Sequence, residues 1–395
     1  MAARTKLADW RLLLVVVFVL SGCETLQLGK PLVIAPADNT TDGGSTARTN
    51  TSSEGPTPPL ALRWDHTAEG GFGPASPLIA GGYVIVSTRA GRVDVIELRN
   101  GRKVGRVTLG DAIEGAPVLV DELILVVPIA AGRDGLVAYN LATGSKAWTL
   151  RDNPHAAGLL LSGGFVVAAA LDGTLRGIEP LTGNERWSMQ SDSNRAFYAA
   201  PTEIADGLVV AADEAGRLVA FSPTTGLIRW RKEIGLPVMR TPSAFGGRFF
   251  VPTARGQLLA IDSAIGETVW IYRADTELAR FATPAVDERY VMVGATDGVL
   301  RCLDPETGEE IWRHEFDGNI SAAPLLTDHV VYVGTMGERI AALDASSGEL
   351  LWDAELPGRV KSAPAARDGI LIVLSEPKHV HAFDTQHIAA SAAEN

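Results

Sequence analysis

Cysteine is almost missing: the 395 residues hold two, Cys23 and Cys302, too few for a disulfide framework. A basic excess is missing as well. Lys and Arg number 35 against 47 Asp and Glu, giving a formal net charge of -12 and a pI near 5.1. Nucleic acid and anionic membrane surfaces both demand the opposite balance, so neither is an expected partner of the folded body. Aromatic residues make up only 6%. The apolar run 12–20 is too short to span a bilayer, which takes about 20 residues. There is no phosphate-binding P-loop, no H-E-x-x-H helix and no G-x-S-x-G elbow. What the chain does have is 46% hydrophobic residues, enough for a large core, which excludes global disorder.

The N-terminus reads as an export signal. Arg4, Lys6 and Arg11 precede the apolar run, and Ser21, Gly22 and Cys23 follow it. The quartet Leu20-Ser21-Gly22-Cys23 resembles a bacterial lipobox. That resemblance implies cleavage of a signal peptide, residues 1–22, and lipidation of the Cys23 thiol; several acyl chains make such an anchor stable. Glu24, in place of the Asp that resembles an inner-membrane retention signal, points to the outer membrane. Periodicity then disappears up to about Leu60, and the stretch 39–59 (NTTDGGSTARTNTSSEGPTPP) is mostly small and polar. Residues 23–61 are therefore expected to form a flexible tether, with an end-to-end distance of roughly 35 Å.

Beyond it the chain repeats. Trp148, Trp187, Trp230, Trp270, Trp312 and Trp352 are 39, 43, 40, 42 and 40 residues apart. Trp64 stands 84 residues, two such steps, before Trp148, and Gly105 occupies the intervening slot. A Gly precedes each of the six evenly spaced tryptophans, at Gly144, Gly183, Gly226, Gly266, Gly308 and Gly348, where a tight turn between strands favours positive φ. Earlier in each unit a Pro (77, 117, 201, 242, 284, 324, 364), or Leu159 in the divergent third unit, opens a run rich in Val, Leu and Ile. Each unit of about 41 residues thus carries four short strands, the content of one propeller blade. Trp64 comes before the first Pro, and no Trp follows the last. The expected fold is therefore all-β: one domain, residues 62–387, forming an eight-bladed β-propeller of four-stranded antiparallel blades. The N-terminal strand completes the last blade, and 388–395 is a C-terminal tail.

The pattern A-x-D-x-x-T-G-x-x-x-W, clearest at Asp262, Asp304 and Asp344, resembles the repeat of the quinoprotein-type (PQQ-like) propellers. With the lipobox, the chain resembles the BamB-type lipoproteins of the outer-membrane β-barrel assembly machinery. This likeness covers about residues 62–387. It implies a non-catalytic scaffold, lipid-anchored on the periplasmic side of the outer membrane, acting as a monomeric subunit of a complex with a β-barrel assembly protein. The alternatives are a PQQ-dependent dehydrogenase and an envelope ligand-binding module. Quinone enzymes of the group carry an adjacent cysteine pair, whereas Cys302 has no neighbour, so no cofactor is expected.

The equivalent Asp262, Asp304, Asp344 and Asp384 in different blades spread around a ring and cannot converge on one ion, and they are expected to stabilise turns. His379 and His381 share one strand face and could supply half of a metal site, but a strand pair facing water is the preferred reading, and no metal is expected. His155, His314 and His329 suggest no site. The loop 191–199 (SDSNRAFYA) stands where the related scaffolds carry a partner-contact loop, which makes Arg195, Phe197 and Tyr198 candidate partner-binding residues, Arg195 matching that loop's arginine. The next blade's loop, 235–241 (GLPVMRT), carries Met239 and Arg240 where the scaffolds add acidic residues, a departure that bears on the particular partner.

Overall fold

The computed structural model describes residues 26–385, apart from 30, 121–123, 132, 133, 152, 193 and 277. The signal segment, Cys23 and the 388–395 tail lie outside the described residues. Eight four-stranded antiparallel sheets stand around an axis. Seven of them are built from consecutive strands and are numbered here as blades 1–7, over 78–108, 118–150, 160–190, 202–233, 243–273, 285–315 and 325–355. Blade 8 joins Ala365–Arg367, Ile370–Ser375 and His379–Asp384 to the N-terminal strand Ala61–Thr67. Trp64 pairs with Ala382 in that strand pair, and the Arg63 guanidinium binds the Asp384 carboxylate. The ring closes as the offset between Trp64 and Pro77 predicts, and closure hides the sheet edge that an open array would expose.

Burial follows position in the blade. Middle strands such as Val330–Gly334 are buried on both faces, so they read as continuous apolar runs. Outer strands such as Thr268–Arg273 alternate between half-buried and exposed residues, with period two. The core is divided among neighbouring blades: Val210 and Leu218 of blade 4, for example, pack with Phe249 and Leu259 of blade 5.

The repeated Trp and Gly lock one blade to the next. The indole N–H of Trp270 donates to the carbonyl of Pro305 (3.1 Å), three residues before Gly308. Gly308 has φ +73°, and a Cβ there would lie 2.6 Å from Trp270 Cδ2, so both backbone and contact require glycine. The same bond recurs from Trp64 to Leu98, Trp148 to Pro180, Trp187 to Pro223, Trp230 to Ser263 and Trp312 to Ala345. Three of the four turn Asp residues behave as expected: Asp262, Asp304 and Asp344 each accept two main-chain N–H groups of the hairpin that follows, whereas Asp384 binds the Arg63 guanidinium at the ring closure.

The slot left open by Gly105 is filled, and by the segment read as a tether. Leu26 is fully buried beside Val95, Tyr139 and Leu141, and its carbonyl accepts the Tyr139 hydroxyl (2.7 Å). Gln27 lies over Gly144, and the Leu28 N–H donates to the Leu141 carbonyl (2.7 Å). Leu141 precedes Gly144 by three residues, so its carbonyl is the one that an indole N–H occupies elsewhere. The paired positions changed together. Each tryptophan faces a small residue on the neighbouring strand, such as Ala138, Ala220 or Ala260, whereas Gly105 faces Val95.

The segment then rises along the axis and returns, which corrects the expectation of a flexible tether for residues 26–60. Its main chain bonds to one inner strand after another: Asn39 to Ile79, Thr40 to Leu119, Thr46 to Glu203, Ala47 to Ala244, Thr49 to Val286 and Asn50 to Leu326. Arg48 supplies the contact to blade 3 through the Leu159 carbonyl (2.9 Å), and Ser52 Oγ donates to Ala366 in blade 8 (3.1 Å). Every blade touches this hub. Its composition misleads because its polar groups are satisfied by the inner edges of the sheets rather than by water.

Two faces result. One, the turn face, carries the hairpins joining first to second and third to fourth strands. The segment enters there, with Leu32 against Gly81, and leaves there, with the Glu54 carbonyl accepting the Gly369 N–H. The other, the loop face, carries the second-to-third hairpins and the links between blades.

Candidate functional site

Loop 191–199 belongs to the loop face. Ser191 N–H donates to the Gly173 carbonyl (2.7 Å), Ser191 Oγ to Asp213 (2.8 Å), and Asn194 turns the chain at φ 49°. Gly173, at φ +84°, lets the Arg195 backbone approach where a Cβ would come within 2.8 Å of its carbonyl oxygen. Phe197 is 1% exposed and packs with Leu175, Val209 and Phe221. As a partner contact it is corrected: it is the anchor of the loop. The Arg195 side chain remains 63% exposed, with Glu214 at 3.8 Å, and Tyr198 is exposed beside it.

Tyr198 also lines a funnel of about 880 Å³ at the centre of this face, together with Met239, Arg240, Arg280, Phe281 and Thr296. The hub closes its floor, since Arg48 and Asp42 line a smaller cavity of about 40 Å³ that also meets Arg240. Among the described residues neither Arg240 nor Arg280 has a carboxylate partner. Burial and, secondarily, the neighbouring Arg280 charge lower the Arg240 pKa. The funnel thus combines two cations with the exposed side chains of Tyr198 and Met239, and Glu114 also lines it. In the sequence Arg240 stands out only as a departure, because Arg280 comes from a different inter-blade link and only the ring brings the two together.

The sequence profile of the family described as outer membrane protein assembly factor BamB matches residues 61–197, 171–322 and 296–389 in overlapping stretches. The chain belongs to the BamB family. No curated protein matches it in sequence. Among solved structures, BamB from Moraxella catarrhalis is 19% identical, with a TM-score of 0.68 over 82% of this chain and 100% of that one. The computationally designed Ika8 protein is 18% identical, with a TM-score of 0.70 over 81% and 98%. A quinohemoprotein alcohol dehydrogenase from Comamonas testosteroni is 15% identical, with a TM-score of 0.70 over 88% and 80%. At these identities the structures share the fold alone. The BamB-family propeller keeps Cys302 fully buried, and burial pushes its thiol pKa up, so it is inert.

The histidine pair of this BamB-family chain sits at the ring closure. His379 and His381 do share a face, their rings stacked at 5.8 Å, but His381 is buried rather than facing water. His381 Nε2 meets Ser375 Oγ at 2.8 Å and Nδ1 meets Asp65 at 2.9 Å. The order Ser–His–Asp is that of a hydrolytic triad. Ser375 is wholly buried, however, so no substrate reaches its hydroxyl, and the relay serves to tie three strands of blade 8. No group of three metal-ligating side chains occurs among the described residues.

Burial, opposed by Asp65 and reinforced by His379, lowers the His381 pKa from 6.5 to about 4. The unfolded chain therefore binds the extra proton between those values, and stability falls as pH drops from 6.5 to 4, by about 2–3 kcal/mol from this group. Denaturant melts of His381→Gln should show a shallower loss across that window than the parent; equal slopes would refute the assignment.

Proposed function

We propose that this BamB-family propeller is a non-catalytic scaffold, lipid-anchored at Cys23 on the periplasmic side of the outer membrane, which assists the insertion of β-barrel proteins by docking an assembly protein on its loop face. The supporting observation is the combination at that face: Arg195 and Tyr198 held outward by the buried Phe197, beside a funnel lined by Met239, Arg240 and Arg280. Arginine and tyrosine on a rigid platform are the residue types that dominate binding energy. The name of the Moraxella catarrhalis relative agrees with this reading. The axis beneath the funnel is filled by the chain's own Arg48 and its partners, which favours docking at the mouth over entry of a substrate.

Affinity purification from detergent-solubilised membranes should recover a β-barrel assembly protein with the parent chain. Arg195→Glu combined with Tyr198→Ala should reduce that recovery at least fivefold with an unchanged melting temperature. Recovery that is unaffected by the double substitution removes the docking face, and absence of any assembly protein removes the function.

A further inference from the structure

We propose that the turn face lies directly on the lipid surface, touching it along the arc of blades 1–5, while the loop face points away from the membrane. The inference rests on the lipid anchor of the function proposed above, and on three observations independent of the docking face.

The first is where the chain enters. Leu26 is locked between blades 1 and 2 at the turn face, three residues after Cys23 in sequence. Three residues reach about 10 Å at full extension. A lipid on Cys23 therefore holds the propeller close to the bilayer, on the side of Gly144 and Gln27, with no slack from the following 35 residues because the hub has taken them up.

The second is the distribution of exposed apolar tips. Val33 is 83% exposed, next to the first hairpin of blade 1; Leu181, Leu227 (72%), Phe245 and Ile265 (63%) stand at hairpin tips of blades 3, 4 and 5. Val33 belongs to the entering segment and the other four to hairpins of the turn face. Leu181, Leu227 and Ile265 each lie one or two residues from a turn glycine, where a strand-forming role cannot explain them. Apolar tips of this kind enter the interfacial layer of a bilayer at little cost.

The third is charge. Turn-face hairpins of blades 6 and 7 carry Asp287, Glu288, Asp304, Glu306, Asp344 and Glu349 against Arg289, whereas the apolar tips of blades 3 and 4 lie in the neutral stretches PLTG and PTTGL and Phe245 of blade 5 in FGGR; Ile265 lies between Asp262 and Glu267. The acidic arc is repelled by anionic headgroups. The ring is thereby tilted, with blades 1–5 down and blades 6–7 lifted.

The test uses the lipidated full chain, isolated from membranes and placed in vesicles of phosphatidylethanolamine and phosphatidylglycerol. Single fluorophores are attached at Leu227→Cys or Ile265→Cys on the turn face, and at Arg255→Cys or Leu278→Cys on the loop face; buried Cys302 does not label. Headgroup-attached nitroxides should quench the turn-face probes at least fivefold more than the loop-face probes. Equal or reversed quenching overturns the proposal, and so does a chain that carries no lipid by mass spectrometry. A second variant, Gly105→Trp with Val95→Ala, restores the missing blade lock and expels Leu26. It should lower turn-face quenching severalfold while the protein still floats with the vesicles, and unchanged quenching overturns the role of the slot. Loss of partner recovery in the purification described above leaves these outcomes untouched.

Discussion

A chain beginning at residue 61 is expected to melt at least 10 °C below one beginning at residue 26. Without the hub, the inner-strand N–H groups of Leu119, Glu203, Ala244, Val286 and Leu326 lose their acceptors and the slot between blades 1 and 2 opens. Each lost main-chain bond costs on the order of 1 kcal/mol where water replaces it, and more where it does not. Leu26, Leu32 and Leu60 are removed from the core with the segment, at about 2 kcal/mol apiece. For a domain this large 1 kcal/mol moves the midpoint by about 2 °C, so a deficit of 5 kcal/mol suffices. Calorimetry on the two chains decides it. A shift under 3 °C would mean that 26–60 merely lies against the ring. Bare inner edges also predict a rise in self-association of the shortened chain.

Arg48→Ala is expected to cost about 3–5 kcal/mol, the range for breaking a buried ion pair by removing one partner. Arg48 is 1% exposed. Its Nε donates to the Pro201 carbonyl (2.9 Å), Nη2 to Leu159 (2.9 Å) and Nη1 to the Asp42 carbonyl (3.1 Å), with the Asp42 carboxylate at 3.4 Å. The substitution strands two carbonyls of different blades at once and leaves the Asp42 carboxylate with Ser76 but without its cation. Burial already lowers the Arg48 pKa, against the pull of Asp42, so the site tolerates little further loss of compensation. Arg48→Lys keeps the charge but cannot span blades 3 and 4 with a planar fork, and it should fall between parent and alanine. Urea melts check both, and a cost below 1 kcal/mol for alanine would show that the guanidinium contributes no net stability.

The blade number and ring closure were legible because the inter-blade contact is made by one large residue and one glycine, and both recur at fixed spacing. The hub was not legible. Its contacts are main-chain bonds and small polar side chains, which leave no hydrophobic period, and a run such as 39–59 looks the same whether water or a ring of strands satisfies it. The clue lay elsewhere, in the paired exchange of Trp for Gly105 and of a small residue for Val95. In the loop 191–199 the segment was located by its length, but a single Phe among polar neighbours reads as exposed until Leu175 and Phe221 are seen to enclose it. Alternation placed His379 and His381 on one face; it could not say that Ser375 and Asp65 lay on either side of the inner ring.

A single unsymmetric segment at the centre of eight near-equivalent sheets meets each sheet through a different residue, with Arg48 also bridging blades 3 and 4. Blade 4 answers to Thr46, blade 5 to Ala47 and blade 6 to Thr49. The outer hairpins are therefore interchangeable modules, whereas the inner strands are keyed. Duplicating, deleting or shuffling a repeat would put every later blade out of step with its key.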